Sequence, residues 1–161
     1  MNTQLQAIYQ NNISLLDSAG IAWQGFDHEP ILDYEADSRV ASAMGWTAEP
    51  TKSLFLRLKD GRYVIFLTHR DTRLDSKAIR DLLGSRPSIC SNEEMVERVG
   101  CVPGAVCPFG LDKDIVLVVD KTLTDHAELL WTPGLPEKTF IMAGADLPRL
   151  VESLDNPVFW I

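Results

Sequence analysis

The chain has few of the groups on which most enzyme chemistries depend. Its three cysteines, Cys90, Cys101 and Cys107, are odd in number and show no Cys-x-x-Cys spacing, which argues against a disulfide framework, a zinc ribbon or a dithiol redox centre. The three histidines, His28, His69 and His126, are scattered, so neither a metal-ligand motif nor a nucleophile–base pair can be read from spacing; no metal and no cofactor is expected. No apolar run approaches the roughly 20 residues of a membrane-spanning helix, and Met1-Asn2-Thr3-Gln4 has neither the basic nor the apolar part of a secretion signal. A soluble cytoplasmic protein is the expectation. Basic residues are outnumbered, 15 Lys and Arg against 23 Asp and Glu, and the net charge of −8 counts against a broad nucleic-acid footprint. Repeats, linkers and low-complexity segments are missing as well, so residues 1–161 read as one domain, long enough for a substantial core.

Hydrophobic periodicity supplies the elements. Leu5, Ile8, Ile13, Leu15 and Leu16 mark the apolar side of a helix from Thr3 to Ser18 that Gly20 ends. Residues 21–26 read as a strand, and Tyr34 to Met44 as a helix with Asp33 as N-cap and Gly45 as its close. Leu54, Leu56 and Leu58 alternate with Phe55 and Arg57, giving a strand that opens at Lys52 and turns through Asp60-Gly61 into a partner at Tyr63–Thr68. Ser76–Leu83 and Asn92–Val99 are short helices, the second with a capping box of Ser91 and Glu94. Ile115-Val116-Leu117-Val118-Val119 suits a strand buried on both faces. Phe140-Ile141-Met142 reads as the last strand and Ala145–Leu154 as a closing helix with Pro148 in its first turn. Strands and helices without regular βαβ alternation imply an α+β fold on a curved mixed sheet. The apolar end Asn156–Ile161 must dock on the body or on a second subunit.

Two segments carry chemical interest. Thr51-Lys52-Ser53-Leu54-Phe55-Leu56 puts one ammonium at the mouth of a sheet. Gly100-Cys101-Val102-Pro103-Gly104-Ala105-Val106, closed by Pro108-Phe109-Gly110, can turn sharply and present N–H groups to a carbonyl oxygen or an oxyanion. On their own, a solvated lysine and a plain turn account for the same residues. Cys101 and Cys107 flank the loop, but no histidine is near them in sequence, and small-residue packing is the reading taken. Arg57, Lys59, Arg62, Arg70, Arg73, Lys77, Arg80 and Arg86 gather in one stretch, as a phosphate-binding region or as a solvated face.

The Thr-Lys-Ser-Leu-Phe-Leu strand, a hairpin, a helical stretch and then Gly-x-x-Pro-Gly-x-Val-x-Pro-Phe-Gly-Leu resemble the YbaK family of aminoacyl-tRNA deacylases, also inserted as an editing domain in many bacterial prolyl-tRNA synthetases. The resemblance runs from the N-terminal helix to Ala143-Gly144. It implies a strongly bent, mostly antiparallel sheet flanked by helices. It also implies a pocket between the lysine strand and the glycine loop that takes the aminoacyl end of a charged tRNA. By that resemblance Lys52, Gly100, Pro103, Gly104 and Ala105 form the catalytic set, with Ser53 and Thr132 at substrate-binding positions. Met44, Trp46, Phe66 and Trp131 are candidates to line the pocket, or core residues, and Arg57 is the substrate-binding candidate from the basic stretch. Some relatives selective for alanine carry Asn after the lysine and His before the last strand; Ser53 and Thr132 stand there instead, so an alanine preference is not implied and the expected substrates are Ala-, Ser- or Cys-tRNA(Pro). The expected partners are the acceptor end of a mischarged tRNA and, for an enzyme acting in trans, prolyl-tRNA synthetase or an elongation factor. The chain itself would be a monomer or a homodimer. A non-catalytic module that binds tRNA or a synthetase is the other reading.

Overall fold

Residues 3–161 are described in the structure, a computed structural model. Helix α1 (Thr3–Ser18) buries Leu5, Ile8, Asn12 and Leu16, one stripe at helical spacing. Ile13 and Leu15, expected on that side, only flank the core. The polar residue on the stripe is a fastener: Asn12 Nδ2 donates to Ile8 O at 2.8 Å and to Phe109 O at 3.0 Å, fixing the helix against the segment that follows the glycine loop. Strand β1 (Trp23–Asp27) precedes α2 (Tyr34–Met44). The Asp33 carboxylate accepts the Ala36 N–H at 2.8 Å, and Gly45 closes the helix in the left-handed conformation.

Strand β2 (Glu49–Leu58) begins three residues ahead of the expected opening at Lys52, so the lysine lies inside the strand. It pairs antiparallel with β3 (Tyr63–His69), Lys52 opposite Thr68 and Thr51 opposite His69. Helix α3 (Ser76–Leu83) leads to β4 (Pro87–Ile89), too short and too polar to register as a strand in the sequence, and then to α4 (Asn92–Val99). Ser91 caps α4 by accepting the Glu94 N–H at 3.1 Å. The reciprocal half of the expected capping box is not made, because the Glu94 carboxylate takes the Tyr63 hydroxyl at 2.8 Å and Arg57 at 3.0 Å. Strand β5 (Val116–Val119) is buried throughout.

Beyond a 3-10 turn at Lys121–Asp125 comes β6 (Glu128–Trp131), another strand the sequence did not predict, and then β7 (Lys138–Ala143). A 3-10 turn at Gly144–Asp146 shortens the closing helix to α5 (Leu147–Glu152). Strand β7 is not the last: β8 (Val158–Trp160) lies parallel to β5, and the Ile161 N–H donates to Val119 O at 3.0 Å, so the apolar tail docks on the body.

The strand order is β1-β7-β6-β2-β3-β5-β8, with β4 on β2. Among the described residues four ladders are antiparallel and three parallel, the mixed sheet expected. The alternation of β2 and β3 sorts them onto two faces. Leu56, Leu58, Val64 and Phe66 pack against Ile79 and Leu83 of α3. Phe55, Ile65 and Leu67 join the main core with α1, α4 and α5. One edge of β2 changes partner: Glu49 and Pro50 pair with β6, residues 56–58 with β4, and the stretch between, which includes Lys52, has no strand beside it on that edge.

The loop after α4 reaches toward this gap. The Ala105 N–H donates to Val102 O at 2.8 Å, closing a tight turn with Pro103 at its second position and Gly104, φ 86°, at its third, the pattern of a type II turn. A Cβ on Gly104 would fall 2.2 Å from the carbonyl oxygen of Leu32, so the position is closed by sterics as well as by backbone conformation. Gly61 has a comparable φ of 96° with nothing within 4 Å. Gly61→Ala is expected to cost about 1–2 kcal/mol, the penalty of a left-handed L-residue, and Gly104→Ala clearly more. Urea denaturation of the two variants checks this; equal losses would show that the Leu32 segment simply moves aside.

Candidate functional site

The gap in β2 opens into a cavity of about 150 Å³ lined by Lys52, Gly104 and Thr132 together with Leu32, Arg70 and Trp131. A space of this order accepts a guest about the size of benzene, hence an amino-acid side chain but not a nucleotide. Wider, shallower clefts lie elsewhere, one between α1 and the residues after α5, another beside Arg57, Lys59 and Arg86. The smaller cavity is the chemical candidate because of the charge it holds.

Lys52 is partly buried, and among the described residues no carboxylate and no hydrogen-bond acceptor is paired with its ammonium. Burial lowers its pKa below the ordinary lysine value, against a weaker opposing pull from Asp71. A partly desolvated, unpartnered cation in a concave site is a candidate for binding an anionic or carbonyl group. Its neighbour is committed instead: Arg70 donates to Asp37 at 2.6 Å, and its guanidinium lies 5.5 Å from the centre of the Tyr34 ring, so this pair braces the wall. The Thr51 hydroxyl donates to Leu130 O at 2.8 Å, extending the contact of β2 with β6 beyond their short ladder. Thr139 is buried on the same wall with its hydroxyl 2.8 Å from His28 Nε2, and His28 Nδ1 is 2.6 Å from Glu29 O, which makes that histidine part of the frame.

The Gly100 N–H is spent on Val96 O and the Ala105 N–H on Val102 O, whereas the Gly104 N–H has no acceptor among the described residues. Lys52, Gly104 and Thr132 are thus brought to one cavity. Gly100 caps α4, Pro103 shapes the turn and Ala105 is buried behind it.

Five residues expected in the pocket lie outside its lining. Ser53 follows Lys52 along β2, Met44 is exposed at the end of α2, and Trp46 packs edge-on against Phe26 at 5.3 Å. Phe66 lies under α3, and Arg57 is held by Glu94 in the cleft at the far end of β2. Half of the basic stretch is neutralised: Arg57, Arg62, Arg70 and Arg80 each have a carboxylate partner, leaving Lys59, Arg73, Lys77 and Arg86 without an ion pair among the described residues.

The thiols are inert. Burial pushes Cys90 up to about 11 and raises Cys101 and the fully buried Cys107 as well, so none is a thiolate near neutral pH. The sequence carries no signal for Thr139 or Leu32 and marks Arg70 only as one of the basic stretch; the hairpin register, which places it opposite Pro50, could have brought Arg70 to the site. Sequence reasoning also took the histidines as scattered, whereas His69 and His126 meet with Nε2 atoms 2.8 Å apart.

Comparison with known proteins accords with this geometry. The sequence profile of the aminoacyl-tRNA editing domain matches residues 28–150. The "Multifunctional Ser/Thr-tRNA deacylase ProXp-y" of Escherichia coli K12 is 29% identical over 150 residues, covering 89% of this chain and 88% of that protein. A proline--tRNA ligase of Bacillus licheniformis is 33% identical over 82 residues, half of this chain and 14% of the ligase. Among solved structures, the hypothetical protein APE2540 superposes with a TM-score of 0.77 at 22% identity, covering 92% of this chain and 97% of that one. A "putative trans-editing enzyme for prolyl tRNA synthetase" does so with a TM-score of 0.69 at 22% identity, covering 94% of each. With the profile spanning most of its length, the chain belongs to the aminoacyl-tRNA editing domain family.

Proposed function

We propose that this chain is a trans-acting deacylase that hydrolyses the ester between a small, wrongly attached amino acid and the terminal ribose of tRNA. One observation carries the reading: Lys52, with its partly desolvated and unpaired ammonium, and Gly104, whose N–H has no acceptor among the described residues, line one cavity of side-chain size. In the reaction water attacks the ester carbonyl, the acyl carbon–ribose oxygen bond breaks, the ribose hydroxyl is reprotonated, and the amino acid leaves as a carboxylate with release of one proton. The Gly104 N–H suits the oxygen on which charge develops, and Lys52 suits the same oxygen or the terminal phosphate. An ester is activated, so positioning and charge stabilisation are sufficient without a general base on the wall.

Threonine side chains at 51, 132 and 139 give the cavity a polar wall, in keeping with serine or threonine as the removed residue, as the name of the Escherichia coli relative has it. Alanine and cysteine are the competitors by size. The likeness to proline–tRNA ligases supports the proline acceptor and work beside that synthetase; on this reading the chain acts in the cytoplasm, as a monomer or homodimer, with an elongation factor as a further candidate partner. No helix of the described residues is long and apolar enough to cross a membrane.

Deacylation of seryl-, threonyl-, alanyl- and cysteinyl-tRNA is expected to show turnover of at least one, and Lys52→Ala to reduce it about 10²-fold or more without loss of the folded baseline by circular dichroism. Tight tRNA binding with no turnover across the panel would support the non-catalytic module instead. If the charged ammonium is required, activity declines as pH rises through the lowered Lys52 pKa, at a pH below that of an ordinary lysine; Lys52→Arg should remove that decline from the pH–rate profile. Cys101→Ser should leave turnover nearly unchanged, since its buried thiol is protonated; a dead but folded variant would point to a thiol nucleophile.

A further inference from the structure

We infer that Glu49, His69 and His126 form a binding site for a divalent transition-metal ion of the zinc class, separate from the deacylation chemistry. The residues come from the first position of β2, the last of β3 and the turn before β6, and each offers a ligand atom within 4.8 Å of the others. The two imidazoles face each other through Nε2 atoms 2.8 Å apart, their planes at 68°. His126 Nδ1 is 3.9 Å from the Glu49 carboxylate. Two nitrogens bound to one ion at about 2.0–2.1 Å are roughly 2.9–3.4 Å apart between square and tetrahedral angles, so to share an ion through Nε2 the rings must turn out of their mutual hydrogen bond and part slightly, and Glu49 must swing from the Nδ1 side of His126.

The surroundings resemble those of metal-bound histidines. His69 Nδ1 lies 3.3 Å from Asp120 Oδ2, the arrangement that leaves Nε2 as the free lone pair. Asp120 is itself fixed, accepting from the Thr68 hydroxyl at 2.7 Å, the Thr122 hydroxyl at 2.6 Å and the Thr122 N–H at 3.0 Å. His126 and Glu49 are about one-third exposed and His69 less, which leaves an open side for exchange and for a water as fourth ligand. Two imidazoles and one carboxylate suit Zn²⁺, Ni²⁺ or Cu²⁺ and are a poor set for Mg²⁺ or Ca²⁺, which take oxygen ligands. His69 faces Thr51 across the β2–β3 ladder, one residue from Lys52, so a bound ion would clamp the strand ends that frame the cavity.

The test is zinc binding by the full chain after chelator treatment and dialysis, read by calorimetry, by metal content and by the melting temperature. One ion per chain is expected, with a raised melting temperature that added Mg²⁺ does not reproduce. His126→Ala and Glu49→Gln should weaken binding at least 10-fold and abolish the thermal shift. Asp120→Asn should weaken it about 10–100-fold, and Cys90→Ser, which removes the most accessible thiol, should leave it unchanged. His126→Gln replaces His126→Ala if the latter does not melt cooperatively without metal. Absence of stoichiometric zinc, binding that survives the His126 substitution, or binding lost with Cys90 would overturn the assignment. None of these readings involves charged tRNA, so failure of the deacylase reading leaves them intact.

Discussion

Every backbone amide and carbonyl of a buried strand needs a partner, and β2 meets that demand by serving two parts of the sheet in turn. One of its edges is continuous with β3; the other is shared between β6 at Glu49-Pro50 and β4 at Leu56–Leu58. The interval between them is the place where backbone is free to face something other than another strand. The proline helps to set the exchange: Pro50 has no N–H to give, and its carbonyl takes the Arg70 N–H at 3.0 Å. The site thus follows from how one strand distributes its hydrogen bonds, with the Val102–Ala105 turn and the Leu32 segment closing the opening.

Only about half of the basic side chains are in ion pairs among the described residues, and one of the unpaired ones is informative because it is partly buried. The acidic excess is arranged so that most of the central arginines are tied to carboxylates at 2.6–3.4 Å. Lys52 has no such partner and loses hydration as well. On the proposed reading, holding it costs free energy that an arriving anion or polarised carbonyl would return, and a net charge of −8 would then be compatible with a phosphate-bearing substrate. Local placement outweighs the overall sum.

What the sequence made legible were the parts governed by short-range rules. Asp33, Ser91, Gly45 and the Asp60-Gly61 turn specify their elements through caps and left-handed positions, and all four appear where read. The resemblance of the Lys52 strand and the Pro103-Gly104 turn to a known family brought two distant segments to one place before any coordinates did. Strands β4, β6 and β8 were not legible, because three or four residues held by long-range ladders carry too little period to register. Phe66 and Trp46 misled for a related reason: an aromatic residue is as good a core residue as a pocket wall, and only the face it occupies decides. The meeting of His69 with His126 depends on the end of β3 lying beside the turn before β6, a matter of topology alone.

The shared strand also orders events in time. Pairing β2 with β3 closes only the short turn at Asp60-Gly61, whereas bringing Glu49 to Leu129 closes a loop of half the chain. Loop-closure entropy therefore favours the hairpin as the early nucleus and leaves the β6 contact for later. On this argument the wall that carries Lys52 would form early and the cavity around it late, so partly folded chains would carry the lysine without its enclosure.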